Sequence, residues 1–111
     1  MMPEDTTIDV ANEFSRWPAG RVRKDGRYSG ERFRQEFLVP ALKKQGIVTI
    51  KMDGAAGYGP SFLEEAFGGL VRKEGFNKDI LSRLKIETTR NNRKVLIHEA
   101  IDNAIVEELA H

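Results

Sequence analysis

The residues best placed to do chemistry crowd into one short stretch, Gly54-Ala55-Ala56-Gly57-Tyr58-Gly59-Pro60-Ser61. Its spacing is that of the phosphate-cradling loop G-x-x-x-x-G-K-[ST], in which backbone N–H groups wrap a polyphosphate and the lysine meets its terminal charge. Pro60 stands where that lysine belongs and supplies neither a cation nor a backbone donor, so nucleotide hydrolysis is not expected. Ser61, Asp53 and His98 are the ingredients of a hydrolase triad. However, the sequence has no nucleophile elbow, and nothing in it brings His98 to Ser61. The chain therefore reads as a non-enzyme. Ser61-Phe62-Leu63-Glu64 fits a capping box, with the serine oxygen accepting from the helix start and the glutamate reaching back. A serine so placed is also a natural switch, because phosphorylation would set about two negative charges at the positive end of the helix dipole. Glu64 and Glu65 partly oppose that charge.

These residues also mark a surface for a protein partner: Asp53, Gly57, Tyr58, Gly59, Ser61 and Glu65. Tyr58 is the candidate anchor, since an aromatic on a glycine-rich loop presents area at small entropic cost. The alternative is that its ring folds back onto the core. A second surface is basic. From Arg16 to Arg34 seven basic residues stand against two acidic ones, and Arg21, Arg23, Arg27 and Arg32 are candidates for binding phosphate or nucleic acid, with Trp17 or Tyr28 for stacking. A net charge of +1 over the whole chain falls short of a dedicated nucleic-acid domain.

The elements that must position these groups fit one domain. A chain of 111 residues supports a single modest core, expected to be ordered over about residues 7–109. Hydrophobic residues at 40% and charged residues at 32% are ordinary for a soluble globular protein, and no apolar run approaches a membrane span. The N-terminus lacks a secretory pattern and there is no cysteine, which fits a reducing cytoplasm. With His98 and His111 as the only histidines, no thiolate or imidazole metal cage can be built, and no cofactor is expected.

Ile8, Val10 and Phe14 alternate as in a strand, and a short edge strand fits Arg21 to Lys24. Ser29 caps a helix carrying Phe33, Phe37, Ala41 and Leu42, in which Pro40 predicts a bend or an early end. Ile47 to Met52 reads as a central strand covered on both sides. The loop from Asp53 to Pro60 leads into a helix bearing Phe62, Leu63, Ala66, Phe67, Leu70 and Val71, closed by Gly75. Gly68 and Gly69 are costly there unless something packs close to them. A turn or short helix from Asn77 to Ser82, a strand from Leu84 to Thr88, and a helix capped by Asn91 or Asn92 complete the chain. That last helix has Ile97, Ile101, Ala104 and Ile105 on one side, beside His98. Strands alternating with helices predict a mixed or parallel sheet with helical cover. Periodicity leaves open whether Gly68-Gly69 and the last helix pack within the monomer or against a second copy, so the oligomeric state is not set.

Arg27-Tyr28-Ser29-Gly30-Glu31-Arg32-Phe33, then Ile47 to Asp53, then Gly57-Tyr58-Gly59-Pro60-Ser61-Phe62-Leu63-Glu64-Glu65-Ala66-Phe67-Gly68-Gly69-Leu70, resemble the bacterial STAS-like domain family of unknown function. The resemblance runs from about Ile8 to Thr88 and is most specific at Ser-Phe-Leu-Glu-Glu-Ala-Phe-Gly. That family is related to the STAS domains of anti-sigma-factor antagonists, so the resemblance implies an α/β fold with a four- or five-stranded mixed sheet flanked by helices. In the antagonists a serine at the start of the helix after the third strand is phosphorylated by a histidine-kinase-like ATPase, and its state sets partner choice. Ser61 falls at that position. The antagonists carry Asp-Ser-Ser-Gly where this chain has Gly59-Pro60-Ser61-Phe62. The resemblance thus implies a signalling module whose partner is such an ATPase or a regulator.

Overall fold

The computed structural model describes residues 2–110. Strand β1 (Glu4–Asp9) opens the fold and ends abruptly. The Asp9 carboxylate accepts from the Asn12 backbone and side chain, at 3.3 and 2.9 Å, while the Asp9 N–H donates to Glu13 at 2.7 Å. These local bonds turn Val10–Phe14 into a π-helical turn, closed by the Ser15 N–H on the Val10 carbonyl. The expected strand over Ile8, Val10 and Phe14 is therefore corrected: strand geometry stops at Asp9. Phe14 is carried inward instead, against Tyr28, Phe33 and Phe37. The edge strand expected at Arg21 to Lys24 is also absent. Asp25 accepts from the N–H groups of Arg21 and Val22, and this folds Arg23–Asp25 into a 3-10 turn.

Helix α1 spans residues 30–42. Ser29 caps it as expected, accepting from the Arg32 N–H. Pro40 does not end the helix. A π-helical stretch, Arg34–Leu38, precedes it, and regular α geometry resumes over Val39–Leu42. The proline's missing N–H is thus placed where the hydrogen-bond pattern changes register. Strand β2 (Gln45–Lys51) follows, and then helix α2 over residues 60–72, with its own π-helical stretch at Glu64–Gly68. A short helix α3 (Ile80–Arg83) leads into β3 (Leu84–Glu87), and α4 (Asn91–Leu109) closes the fold. Arg90, with no side-chain bond, takes the cap position of α4 that was expected of an asparagine.

Among the described residues the sheet has three strands in the order β1-β2-β3, and both pairings are parallel. The expectation of four or five strands in a mixed sheet is corrected accordingly. The segments that would have lengthened the sheet, Val10–Phe14 and Arg23–Asp25, are held in tight turns by the Asp9 and Asp25 carboxylates. Ile8, Val48, Ile50, Met52, Leu84 and Ile86 point into one core with Phe33, Phe62, Phe67, Leu70, Ile97 and Ile101. The other face is uncovered: Thr7, Ile47, Lys51, Lys85 and Glu87 are exposed, so β2 is not covered on both sides as expected. A parallel sheet usually carries helices on both faces. Here α1, α2 and α4 share one side, with α2 touching both others.

Candidate functional site

The carboxyl ends of β2 and β3, where open parallel sheets place their ligands, hold the loop singled out by sequence. Asp53 follows β2 and is tied from three directions. It accepts from Thr88 Oγ1 at 2.7 Å, from the Thr89 N–H at 2.7 Å and from Arg93 Nη1 at 2.8 Å. Those bonds, the Thr88 hydroxyl foremost, hold its carboxyl at about 2, well under the usual carboxylate range. Arg93 is buried in the first turn of α4, and its guanidinium lies 4.9 Å from the centre of the Tyr58 ring. The Tyr58 hydroxyl donates to the Met52 carbonyl at 2.7 Å, and burial pushes its phenol well above the ordinary value.

Tyr58 therefore takes the second of its two expected dispositions, with its half-buried ring folded back against Phe62. Its role is to fasten the loop to the base. The loop between Asp53 and Tyr58 is anchored again by the Ala56 N–H on the Arg16 carbonyl, at 2.7 Å. Gly57 and Gly59 face open space, with nothing within 4 Å of where a side chain would begin.

Ser61 lies exposed in the first turn of α2. The capping box expected of Ser61 and Glu64 does not form. Pro60 is the first residue of the helix and Gly59 its cap, which places Ser61 two positions past the cap, too far in to accept from the helix start. Its hydroxyl has no hydrogen bond among the described residues. Glu64 is bound instead by Arg21 at 3.1 Å. Beside Pro60 and Glu64 a groove of about 410 Å³ runs between α2 and α4, with Leu96, Asn103 and Val106 on its far wall. His98 is exposed on α4, and no hydrogen bond joins it to Ser61 among the described residues.

Glu65, expected on the partner surface, is corrected to an interior position. It is 5% exposed and meets Arg34, which is 1% exposed, at 2.7 Å, with Lys73 at 2.8 Å. Burial pushes the Glu65 carboxyl up, but the bonds from Lys73 and Arg34 outweigh this and hold it below its ordinary value. Arg34 also donates to the Glu65 carbonyl and to Glu74, at 2.6 and 2.9 Å. It therefore leaves the basic surface altogether. Of the other basic candidates, Arg23 and Arg32 both hold Glu36, Arg21 holds Glu64, and Arg27 lies 5.8 Å from the centre of the Tyr28 ring. Among the described residues no group of three or more carboxylates or histidines could hold a metal ion. No helix among them is long and apolar enough to cross a membrane.

The sequence reading missed Arg93, Thr88 and Thr89 as parts of the site, and Arg34, Lys73 and Glu74 as a buried network. One signal was available: two hydroxyl residues at the carboxyl end of a predicted strand, level with an aspartate at the end of its neighbour.

Residues 29–94, from the cap of α1 through the first turn of α4, match the model of a family described as STAS-like domain of unknown function (DUF4325). The chain belongs to this STAS-like family. The match takes in the Asp53 loop, Ser61, both buried arginines and two of the three strands, while β1 lies before it. No curated protein and no solved structure matches the chain.

Proposed function

We propose that this STAS-like domain is a non-enzymatic protein-interaction and signalling module resembling an anti-sigma-factor antagonist, acting in a bacterial cytoplasm and switched at Ser61. The observation that carries the reading is the contrast around that serine. Its hydroxyl is exposed and has no hydrogen bond among the described residues, and it stands next to the open backbone of Gly57 and Gly59. The loop beneath is fixed to the sheet by Asp53, Tyr58 and Arg93. A fixed loop presents its backbone to a partner with little ordering cost on binding. A phosphate on Ser61 would enter the first turn of α2, where helix N–H groups favour negative charge, and would compete with Glu64 for Arg21. The partner in this proposal is a histidine-kinase-like ATPase or a regulator.

The reading is tested by mass spectrometry of Ser61 in chain purified from its native cells, together with affinity capture by wild type, Ser61→Ala and Ser61→Asp. The expected outcome is a phosphorylated fraction and one partner that distinguishes alanine from aspartate. Identical capture by all three, with Ser61 unmodified, would refute the switch.

Phosphate or nucleic-acid binding through Arg21, Arg23, Arg27 and Arg32 has less support, since three of the four already hold carboxylates of this chain. Salt-sensitive nucleic-acid binding lost in the Arg23→Ala/Arg27→Ala variant would restore it.

A further inference from the structure

The two edges of the sheet are built differently. β1 carries Glu4, Asp5 and Asp9 and no basic residue, its register is broken between Glu4 and Thr6, and Asp5 reaches across to the Ile47 N–H. A second copy of β1 laid antiparallel about Thr7 would set Asp5 against Asp9. Acidic charge and a register break are both ways in which sheets discourage edge pairing.

β3 has an unbroken register, and its one acidic residue, Glu87, is balanced by Lys85. The Met52 N–H donates to the Glu87 carbonyl at 3.0 Å, which turns the peptide groups of Lys85 and Glu87 toward β2. Alternate residues of a strand direct their backbone groups to opposite edges, so the N–H and C=O of Ile86 face outward. Among the described residues no strand lies beyond β3. Lys85 and Glu87, on either side of Ile86, are exposed on the uncovered face, and neither has an ion-pair partner among the described residues.

These features make the edge complementary to itself. In an antiparallel pair related by a twofold axis through Ile86, that residue faces its own copy and exchanges both backbone hydrogen bonds with it. Lys85 then stands directly opposite Glu87 of the second copy, and Glu87 opposite the other Lys85, on the same face of the joined sheet. Leu84 meets Thr88 on the core side. Every other centre within β3 that keeps side chains on matching faces loses one or both of these charge pairs.

We propose that β3 is the edge on which two copies of this chain join, antiparallel and centred on Ile86, into one continuous sheet. The Ser61 surface belongs to α2, which lies between β2 and β3 in the chain and contributes no residue to this interface.

Sedimentation equilibrium from micromolar to submillimolar chain tests the proposal with four proteins: wild type, Lys85→Glu, Glu87→Lys and the double charge swap. Wild type is expected to dimerise with rising concentration, and each single variant to weaken the dimer roughly tenfold or more, because like charges then face each other. An equimolar mixture of the two single variants is expected to form a heterodimer, and the double swap to dimerise again. Amide exchange at Ile86 should slow as wild type associates. Circular dichroism confirms that each variant is folded, and the rescue in the mixture separates a pairing effect from damage to the strand. Wild type that stays monomeric throughout, a dimer indifferent to both single variants, or single variants that fail to rescue each other would each overturn the proposal.

Discussion

Two arginines are buried in this domain, and they are buried for different ends. Arg34 lies between α1 and α2 with Glu65, Glu74 and the Glu65 carbonyl around it, and no part of that set faces a ligand site. Arg93 lies under the carboxyl end of the sheet, where one side of its guanidinium meets Asp53 and the other the Tyr58 ring. The Asp53 carboxylate on which Arg93 rests is partly open to water, whereas Glu65 is sealed. The first arginine holds two helices together. The second fixes the base of a loop whose outer backbone is free. A sealed pair is severe to break because the surviving charge has no water to turn to, while a pair at the surface lets its survivor rehydrate.

The sharpest way to break this comparison is Arg34→Ala, which leaves the interior Glu65 with Lys73 at 2.8 Å and only a longer contact, 3.8 Å, to Arg21. Urea unfolding is expected to show a loss of about 3–5 kcal/mol. Gly69→Ala attacks the same place from the other helix, since an added methyl would overlap Arg34 Nη1. Its cost is expected at about 1–3 kcal/mol and should largely vanish in the Arg34→Ala background, a coupling that a double-mutant cycle measures. Arg93→Ala comes next. It removes one charged hydrogen bond and the packing on Tyr58, for an expected loss of about 1–3 kcal/mol, with faster amide exchange in the 53–59 loop.

A subtler difference between the two sites appears with pH. Asp53 titrates at about 2 in the folded chain, below its ordinary 3.8. The stability it contributes is thus complete above about pH 4 and is lost as pH falls through about 2. Asp53→Asn should lower the melting temperature at neutral pH and flatten its fall between those values, as thermal scans across the acid range will show. The smallest expected effect is that of Tyr58→Phe, which gives up one hydrogen bond to Met52 and keeps the ring beneath the loop. A loss of about 1 kcal/mol in urea unfolding is expected.

Much of the fold was legible because its signals are local. The alternation of Val48, Ile50 and Met52, the helical spacing of Phe62, Ala66, Phe67 and Leu70, and the Ser29 cap each express a period or a bond that a few residues set among themselves. The errors in reading the fold came where a local bond competed with a periodic pattern. Val10 and Phe14 alternate as strand residues do, yet Asp9 and Glu13 bond the chain into a turn. Ser61 and Glu64 match a capping box, but Pro60, which fits the first helical position, starts the helix ahead of Ser61. The candidate site was half legible. The Asp53 loop and Ser61 stood out by composition and exposure. Arg93, Thr88 and Thr89 did not, because they join Asp53 across 35 to 40 residues of sequence.

The sequence by itself determined the α/β class, the direction of α2 with its acidic start and basic end, and the place of a glycine-rich loop before Ser61. Those properties depend on residues close in the chain. Tertiary structure alone decided that Glu65 is interior, that Tyr58 turns inward, that Gly68 and Gly69 are needed where Ala100 and Arg34 press close, and that one face of the sheet stays bare. A charge or a glycine acquires its role from the neighbour it meets, and those neighbours lie on other elements, brought together only when the helices pack.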